Sequence, residues 1–217
     1  MMNKTILLLL VWALCSCTEA QTRVSLPAPN AGKASKMTLM QALQNRHSVR
    51  EYADKVIPDA TLSTLLWAAC GYNRPAEKRI TAPSAMNVQD ISVYVCRADG
   101  AYRYNPDEHA LDRVSSKDLR ASVASRQDFV KTAPVCLVLV SDLSKFRSPD
   151  AEMGALDAGY VSENICLACT ALGLCTVPRA TMDRETLTRE LGLQSHHRLF
   201  INHPIGWPKK KVRLNSH

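Results

Sequence analysis

Residues 46–52 read Arg46-His47-Ser48-Val49-Arg50-Glu51-Tyr52, with two arginines four residues apart and a serine midway between them. At the end of a helix, Arg46 and Arg50 would share one face, and Ser48 would lie in the turn between them. Two guanidinium groups and a hydroxyl can bind a phosphate and still present a fixed positive charge further along the same ligand. The alternative is a solvated basic helix end, because runs of charge usually lie on the surface.

Two other segments favour the ligand-binding interpretation. The polar loop Pro83-Ser84-Ala85-Met86-Asn87-Val88-Gln89 directly precedes a predicted strand, and Lys209-Lys210-Lys211-Val212-Arg213 lies near the end of the chain. Alternate residues of an extended segment face one side, so Lys211 and Arg213 could act together. The ordinary alternatives are a Ser/Asn turn for the loop and a solvated basic end for the tail.

The first twenty residues have the pattern of a secretory signal peptide. Lys4 precedes the apolar run Ile6–Leu14, which is too short to cross a bilayer because a span needs ~20 apolar residues. Two processing routes stay open: cleavage after Ala20, or a lipoprotein-type box that would attach a lipid to Cys17. We therefore expect export, to the periplasm or to a lipid anchor at the bacterial envelope.

Residues 21–36 predict a flexible leader, since proline, glycine and small polar residues recur there. Residues 37–217 predict one domain with a sizeable core. The net charge is +7 and the pI is about 9.1. Such a balance can indicate nucleic-acid binding, but no aromatic-interleaved basic helix, zinc spacing or RNA-binding signature accompanies it. We therefore expect neither a nucleic-acid partner nor a metal site.

The six cysteines beyond the signal region lie within apolar helix or strand patterns, which favours packing as small buried hydrophobes. An exported protein could instead use them in disulfides. Cys166 and Cys169 form a Cys-x-x-Cys pair, which can signal redox or metal chemistry. This pair lies in the middle of a predicted helix without a second pair, so core packing is favoured there too.

The apolar pattern predicts unevenly alternating helices and strands with one early hairpin at Asp99-Gly100, which is typical of an α+β fold rather than a doubly wound sheet. The helix over 151–172 is rich in glycine and alanine and should be central or dimer-facing. Residues 72–90 predict a loop. The other predicted helices cover 37–45, 58–70, 116–131 and 183–191, and the strands cover 91–96, 101–104, 135–140, 174–177 and 199–205.

Taken in order, the three segments resemble the nitroreductase superfamily of flavin enzymes. Members carry an Arg-x-Ser-x-Arg/Lys motif at a helix end, a Pro-Ser-x-x-Asn segment before the first sheet strand, and a basic pair near the C-terminus. The likeness covers roughly residues 37–213 and is best to short, single-domain members, including those resembling thiazole-forming oxidases. It implies a nitroreductase-like α+β fold, with a mostly antiparallel central sheet flanked by helices, in an intertwined homodimer that binds FMN at its interface.

The resemblance also assigns roles to individual residues. It places Arg46 and Ser48 at the FMN phosphate, and Arg50 near the pyrimidine edge of the ring. The backbone N–H of Ala180 would face the flavin N5, although the glycine that the family carries in this loop is missing. Gln127 matches a recurrent position without a defined role. The complete predicted cofactor-binding set is Arg46, His47, Ser48, Arg50, Pro83, Ser84, Ala85, Met86, Asn87, Gln127, Ala180, Lys211 and Arg213.

The implied activity is hydride transfer from NAD(P)H through FMN to a nitroaromatic, a quinone or a similar acceptor. The flavin carries this chemistry, so no catalytic side chain is expected. No Gly-x-Gly-x-x-Gly fingerprint is present, which agrees with a donor that docks on the flavin and leaves before the acceptor enters. Two alternatives stay open: a dehydrogenating oxidase of the thiazole-forming type, and a non-catalytic flavin-binding protein.

Overall fold

A seven-stranded antiparallel sheet in the order β1-β6-β5-β4-β7-β9-β8 lies between two helical layers, and β2 and β3 form a separate hairpin. This computed structural model describes residues 22–30, 32 and 36–209, so the predicted signal peptide, Cys17, Lys211 and Arg213 lie outside the described residues. The strands are β1 (Arg23–Ser25), β2 (Tyr72–Arg74), β3 (Arg79–Ile80), β4 (Ile91–Arg97), β5 (Gly100–Asn105), β6 (Ala110–Ser115), β7 (Val135–Asp142), β8 (Cys175–Thr176) and β9 (His197–Gly206).

Five α-helices accompany these strands, and the predicted α+β class is confirmed. They are α1 (Leu39–Asn45), α2 (Asp59–Cys70), α3 (Arg120–Ala124), α4 (Ala151–Ala171) and α5 (Arg184–Glu190). Short 3₁₀ turns cover Pro75–Glu77, Ala85–Asn87, Asp128–Thr132 and Leu143–Lys145. Within the part of the chain that the structure describes, no helix has the length and apolar character needed to cross a membrane.

Strand β7, in the interior of the sheet, packs side chains against both helical layers. Its apolar run is buried on both faces, as a continuous hydrophobic strand requires. Leu137 and Leu139 belong to the core cluster that includes residues of α2 and α4. Val138 and Val140 point the other way, into the cluster that includes residues of α3 and α5. The strand therefore divides the domain into two cores.

The prediction of a flexible leader over residues 21–36 is wrong for the part that the structure describes around β1. Arg23–Ser25 pair with β6 at the edge of the main sheet, and Leu26 is buried. The carbonyl of Pro27 accepts a hydrogen bond from the Ser63 hydroxyl on α2 at 2.5 Å. Leader-like composition gives no information about pairing with a strand nearly ninety residues later, so the domain begins earlier than predicted.

The helix predicted over residues 116–131 is also wrong. Only Arg120–Ala124 is α-helical, and Ser125 then adopts a positive φ of 51° that ends the helix. A 3₁₀ turn at Asp128–Thr132 leads the chain to β7. Strand β6 was not predicted, because polar Asp112 and Arg113 interrupt its apolar pattern. The predicted loop over residues 72–90 contains the small β2–β3 hairpin.

The packing interpretation of the cysteines is confirmed. All six cysteines in the described part of the chain are free thiols and buried. Burial raises the pKa of Cys166 to about 11 and that of Cys136 to about 12. Because the thiolate is the reactive form, these groups should be inert in the folded protein.

We expect iodoacetamide at neutral pH to leave these six thiols unmodified in the folded protein and to alkylate all of them in denaturant. Peptide-level mass spectrometry of the two samples measures this directly. Rapid alkylation of Cys166 or Cys169 without denaturant would contradict the buried assignment and revive the redox interpretation of the pair.

Candidate functional site

Residues 46–52, which we call the strap, cross the end of the sheet in a non-helical conformation. The N–H of Val49 donates to the Thr176 carbonyl on β8 at 3.0 Å. Tyr52 is buried, and its hydroxyl donates to the Val49 carbonyl at 3.0 Å. The Lys209 N–H donates to the Glu51 carbonyl at 3.3 Å. The strap is therefore fixed both to β8 and to the chain that leaves β9.

The shared helical face predicted for the two arginines is wrong. Helix α1 ends at Asn45, and Arg46 already has extended backbone angles (φ −62°, ψ 121°). The structure nevertheless presents the predicted groups outward, because Val49 packs against the core and leaves Ser48 and Arg50 exposed. Extended backbone, in which neighbouring residues face opposite sides, achieves this exposure.

The charges of the strap are available to a ligand. Among the described residues, neither Arg46 nor Arg50 has an ion-pair partner or a side-chain hydrogen bond. Arg46 lies near α4, where its charge slightly opposes the effect of burial on the pKa of Cys166. His47 bonds the Asn45 carbonyl through Nδ1 at 2.8 Å. An anion at the strap would therefore meet two guanidinium groups that need not break existing pairs.

A second exposed group, the backbone of Ala180, lies in the loop that follows β8, the strand to which the strap is bonded. Ala180 follows Thr176, the strap's partner on β8, by four residues. Asn202 on β9 braces the loop: it exchanges backbone hydrogen bonds with Arg179 at 2.9 and 2.7 Å, and its Nδ2 donates to the Thr181 carbonyl at 3.0 Å. Ala180 is exposed, and its N–H makes no hydrogen bond to a described residue.

Below this loop lies a buried arginine that the sequence did not single out. The Arg179 guanidinium donates to Gln127 Oε1 at 2.7 Å and to Asn202 Oδ1 at 2.6 Å. It also donates to the carbonyls of Val123 and Ala124, each at 3.2 Å. All four acceptors are neutral, and burial lowers the pKa of Arg179. Gln127, predicted to bind cofactor, has a defined partner in Arg179.

The predicted segment at residues 83–87 lies away from the strap within one chain. The Ala85 N–H donates to both carboxylate oxygens of Asp157 on α4, at 3.1 and 2.9 Å. Cys166, beside Arg46, is nine residues further along the same helix, which corresponds to about 14 Å of rise. The two segments therefore contact α4 at points about 14 Å apart along its axis.

Helices α1 and α4 carry apolar side chains that the described residues leave uncovered. On α1, Leu39 and Met40 are 64% and 72% exposed. On α4, Leu156 and Tyr160 are 54% and 48% exposed, and nothing lies within 4 Å of the position where a side chain of Gly159 would begin. The two helices contact each other, and exposed apolar side chains grouped on neighbouring elements are typical of interaction sites.

Comparison with known proteins agrees with this architecture. The family model described as "Nitroreductase family" matches residues 43–207. A solved structure described as a "putative nitroreductase" from Ralstonia eutropha JMP134 is 34% identical, with a TM-score of 0.80 over 88% of this chain and 91% of that chain. A "putative NADH dehydrogenase/NAD(P)H nitroreductase" from Methanothermobacter thermautotrophicus is 28% identical over 182 residues, 82% of this chain and 81% of its own.

A more distant structure shows the same fold. It is described as a "putative nitroreductase in complex with FMN" from Desulfovibrio desulfuricans, and is 21% identical with a TM-score of 0.60 over 84% of this chain and 92% of that chain. The predicted nitroreductase-like fold is thus confirmed. With a family model that spans most of the sequence, this chain belongs to the nitroreductase family.

Proposed function

We propose that this chain is an FMN-dependent oxidoreductase that moves hydride from NAD(P)H to a nitroaromatic, quinone or similar acceptor. The observation that carries the proposal is the strap, whose two arginines have no partner among the described residues, in a chain of this family. The strap is bonded to Thr176 on β8, four residues before the open N–H of Ala180. FMN, when bound, supplies the hydride chemistry. The FMN complex of the Desulfovibrio relative and the NAD(P)H in the name of the Methanothermobacter relative support this choice of cofactor and donor.

The phosphate end of the cofactor fits the first half of the strap. A phosphate needs hydrogen-bond donors and positive charge, and Arg46 and Ser48 offer both, with His47 adjacent. Lys211 and Arg213 would add charge. They lie outside the described residues but follow Lys209, whose N–H is bonded to the strap at Glu51. Each residue spans at most ~3.5 Å, so the two to four residues that follow Lys209 give enough chain for both side chains to reach the strap.

The ring end of the cofactor fits the second half of the strap and the braced loop. Arg50 would place its charge near the pyrimidine edge, where negative charge develops when the ring is reduced. Ala180 would direct its N–H at N5. Because Asn202 and Arg179 fix the loop before any ligand arrives, this donor needs no reorganisation during the reaction.

A homodimer completes the proposed site. The segment at residues 83–87 of one chain would contact the FMN that the partner's strap holds, which accounts for its distance from the strap within one chain. The exposed apolar faces of α1 and α4 would be buried between the chains, and Gly159 would allow a close approach there. This surface is the kind that homodimers bury in their cores.

We also propose export, to the periplasm or to a lipid anchor at Cys17, from the signal-like N-terminus. NAD(P)H is scarce outside the cytoplasm. The NADH test below decides whether an exported enzyme uses this donor or another two-electron reductant.

The proposal predicts that the purified protein, after incubation with FMN and removal of the excess, is yellow and loses its colour when NADH is added without oxygen. Absorbance spectra before and after NADH measure both steps. A non-catalytic flavin-binding protein would stay yellow with NADH, and dithionite, which reduces flavin directly, would still bleach it. A colourless protein that is retained on DNA in a salt-sensitive manner would instead favour nucleic-acid binding.

A further inference from the structure

Residues 84–89, which we call the 84–89 segment, include three non-glycine residues with positive φ angles, and such a backbone needs support from the surrounding structure. Met86, Asn87 and Gln89 have positive φ angles of 51°, 56° and 50°. Residues other than glycine rarely adopt this conformation, and several together persist only when the surroundings impose it. Met86 is 75% exposed, so packing of its side chain does not impose it.

Asp157 on α4 holds this segment from beneath. Its side chain is buried, and both carboxylate oxygens accept the Ala85 N–H. Among the described residues no basic side chain forms an ion pair with it. A buried carboxylate that lacks a cation is costly unless hydrogen bonds or a nearby proton compensate. The backbone donor alone gives Asp157 one of the partners that it needs.

The second partner is Asp90, which follows the segment and is completely buried. Asp90 Oδ2 accepts a short hydrogen bond from the Ser141 hydroxyl, whereas Asp90 Oδ1 is buried without a donor. Helix α4 packs against this pair, since a side chain at Gly154, one turn before Asp157, would meet the Ser141 hydroxyl. The charge of Asp157 acts on Asp90 from this helix, and two buried carboxyl groups that interact in this way are costly when both are charged. A proton on Asp90 Oδ1 that is donated to Asp157 would satisfy both groups.

The surroundings of Asp90 favour this shared proton. Burial first, and then the hydrogen bond and charge of Asp157, raise the pKa of Asp90 to about 7 against the opposing effect of Ser141. Strand β7 contributes the Ser141 hydroxyl and the Asp142 backbone N–H, which donates to the Asp90 carbonyl at 3.0 Å. Lys145 bonds the Gln89 carbonyl rather than either carboxyl group. Asp157 is the charged group with the largest effect on the pKa of Asp90.

We propose that Asp157, through a proton shared with Asp90, is the positioning residue that holds the 84–89 segment in the shape that meets the partner subunit's FMN. The inference rests on the proposed function, because that function places the segment against the cofactor. Loss of the shared proton would leave two buried charges, which repel each other and push the segment away from α4. Protonation of one buried pair would thus control how well the homodimer holds FMN.

The direction of the pH dependence follows from the pKa of Asp90. An ordinary aspartate has a pKa of about 4, so between this value and about 7 the folded protein keeps a proton that the unfolded chain has released. The stabilisation is complete below about pH 4 and is lost as the pH rises through 7. FMN affinity should follow, weakening at least roughly threefold between about pH 7 and about pH 8.5. The cofactor phosphate does not obscure this window, since its second pKa is about 6.

The test compares FMN dissociation constants and hydrogen–deuterium exchange of peptides covering the 84–89 segment. Asp157→Ala should weaken FMN binding at least about tenfold, the effect of a lost charged hydrogen bond, and should speed exchange of the segment. Asp90→Asn keeps an acceptor for Ser141 and a neutral donor for Asp157, so its affinity should match the wild type near pH 7 and stay constant at higher pH. Glu152→Gln, an exposed change in the first turn of α4, is the matched control.

Wild-type affinity and exchange in Asp157→Ala would overturn the positioning role, and an unchanged pH response in Asp90→Asn would overturn the shared proton. If Asp157→Ala does not fold, Asp157→Asn tests the proposal instead, because its amide can accept from the Ala85 N–H and donate to Asp90. It should bind FMN without the pH response, and a wild-type response would overturn the proposal. If the wild type binds no FMN, the proposed function fails, while exchange of the segment still shows whether Asp157 holds it.

Discussion

Replacing Arg179 with methionine should lower the melting temperature by about 6–12 °C. The change leaves the Asn202 side-chain oxygen and the carbonyls of Val123 and Ala124 without their donor. Each buried unsatisfied acceptor costs about 1–3 kcal/mol, and removal of a desolvated cation offsets part of this, for a net loss of about 3 kcal/mol. In a domain of this size, 1 kcal/mol corresponds to about 2–4 °C. Differential scanning calorimetry measures the shift.

Arg184→Met is the matched control for this prediction. Arg184, the first residue of α5, is exposed and donates to the Ala180 carbonyl at 3.0 Å. Exposed substitutions usually change stability by less than about 0.5 kcal/mol, so its melting temperature should move by about 2 °C or less. Equal shifts in the two variants would show that the buried network does not stabilise the fold.

Arg46→Ala should weaken FMN binding about 10- to 100-fold, whereas Arg50→Ala should leave FMN bound. A charged hydrogen bond to phosphate contributes about 1.5–3 kcal/mol, and Arg46 is placed to supply it. Arg50 should instead stabilise charge on the reduced ring. Coulomb attraction at ~4 Å is worth roughly 4 kcal/mol at a dielectric near 20. After desolvation, one to two kcal/mol would shift the two-electron potential by roughly 20–45 mV.

Titration with FMN and anaerobic potentiometry separate these two roles. Arg50→Ala should lower the potential and slow reduction by NADH at saturating FMN. Arg74→Ala, an exposed arginine on the β2–β3 hairpin, is the control for loss of positive charge alone. If both strap variants lost FMN to the same extent, with no change in potential, the division of roles between Arg46 and Arg50 would be wrong.

Sequence patterns predicted those elements of the fold that depend on residues close together in the chain. The apolar run of β7 identified an interior strand, and the stops around Pro58 and Gly71 located α2 to within a residue. Strand β1 and its partner β6 escaped prediction because their stability comes from pairing with each other across the chain. The end of α3 at Ser125 was missed because its positive φ turns the chain toward β7, a path that the local sequence does not specify.

The candidate site divides in a similar way. The sequence predicted which side chains of the strap would be available, because Ser48 and Arg50 need no tertiary partner to be exposed and Arg46 is only partly buried. It predicted the wrong backbone, since the bond from Val49 to Thr176 joins residues that are far apart in sequence. Two other features also join residues that are far apart in sequence and so could not be predicted. They are the hydrogen-bond network of Arg179, Gln127 and Asn202 and the contact of Asp157 with Ala85.

The pairing of β1 with β6 has a consequence for a lipid-anchored form of the protein. Only five residues lie between Cys17 and Arg23, the first residue of the edge strand. Such a tether reaches at most about 20 Å, which would keep the enzyme at the bilayer surface rather than free in the surrounding fluid. An anchored molecule would then meet acceptors that partition into lipid most often, and quinones are such a class.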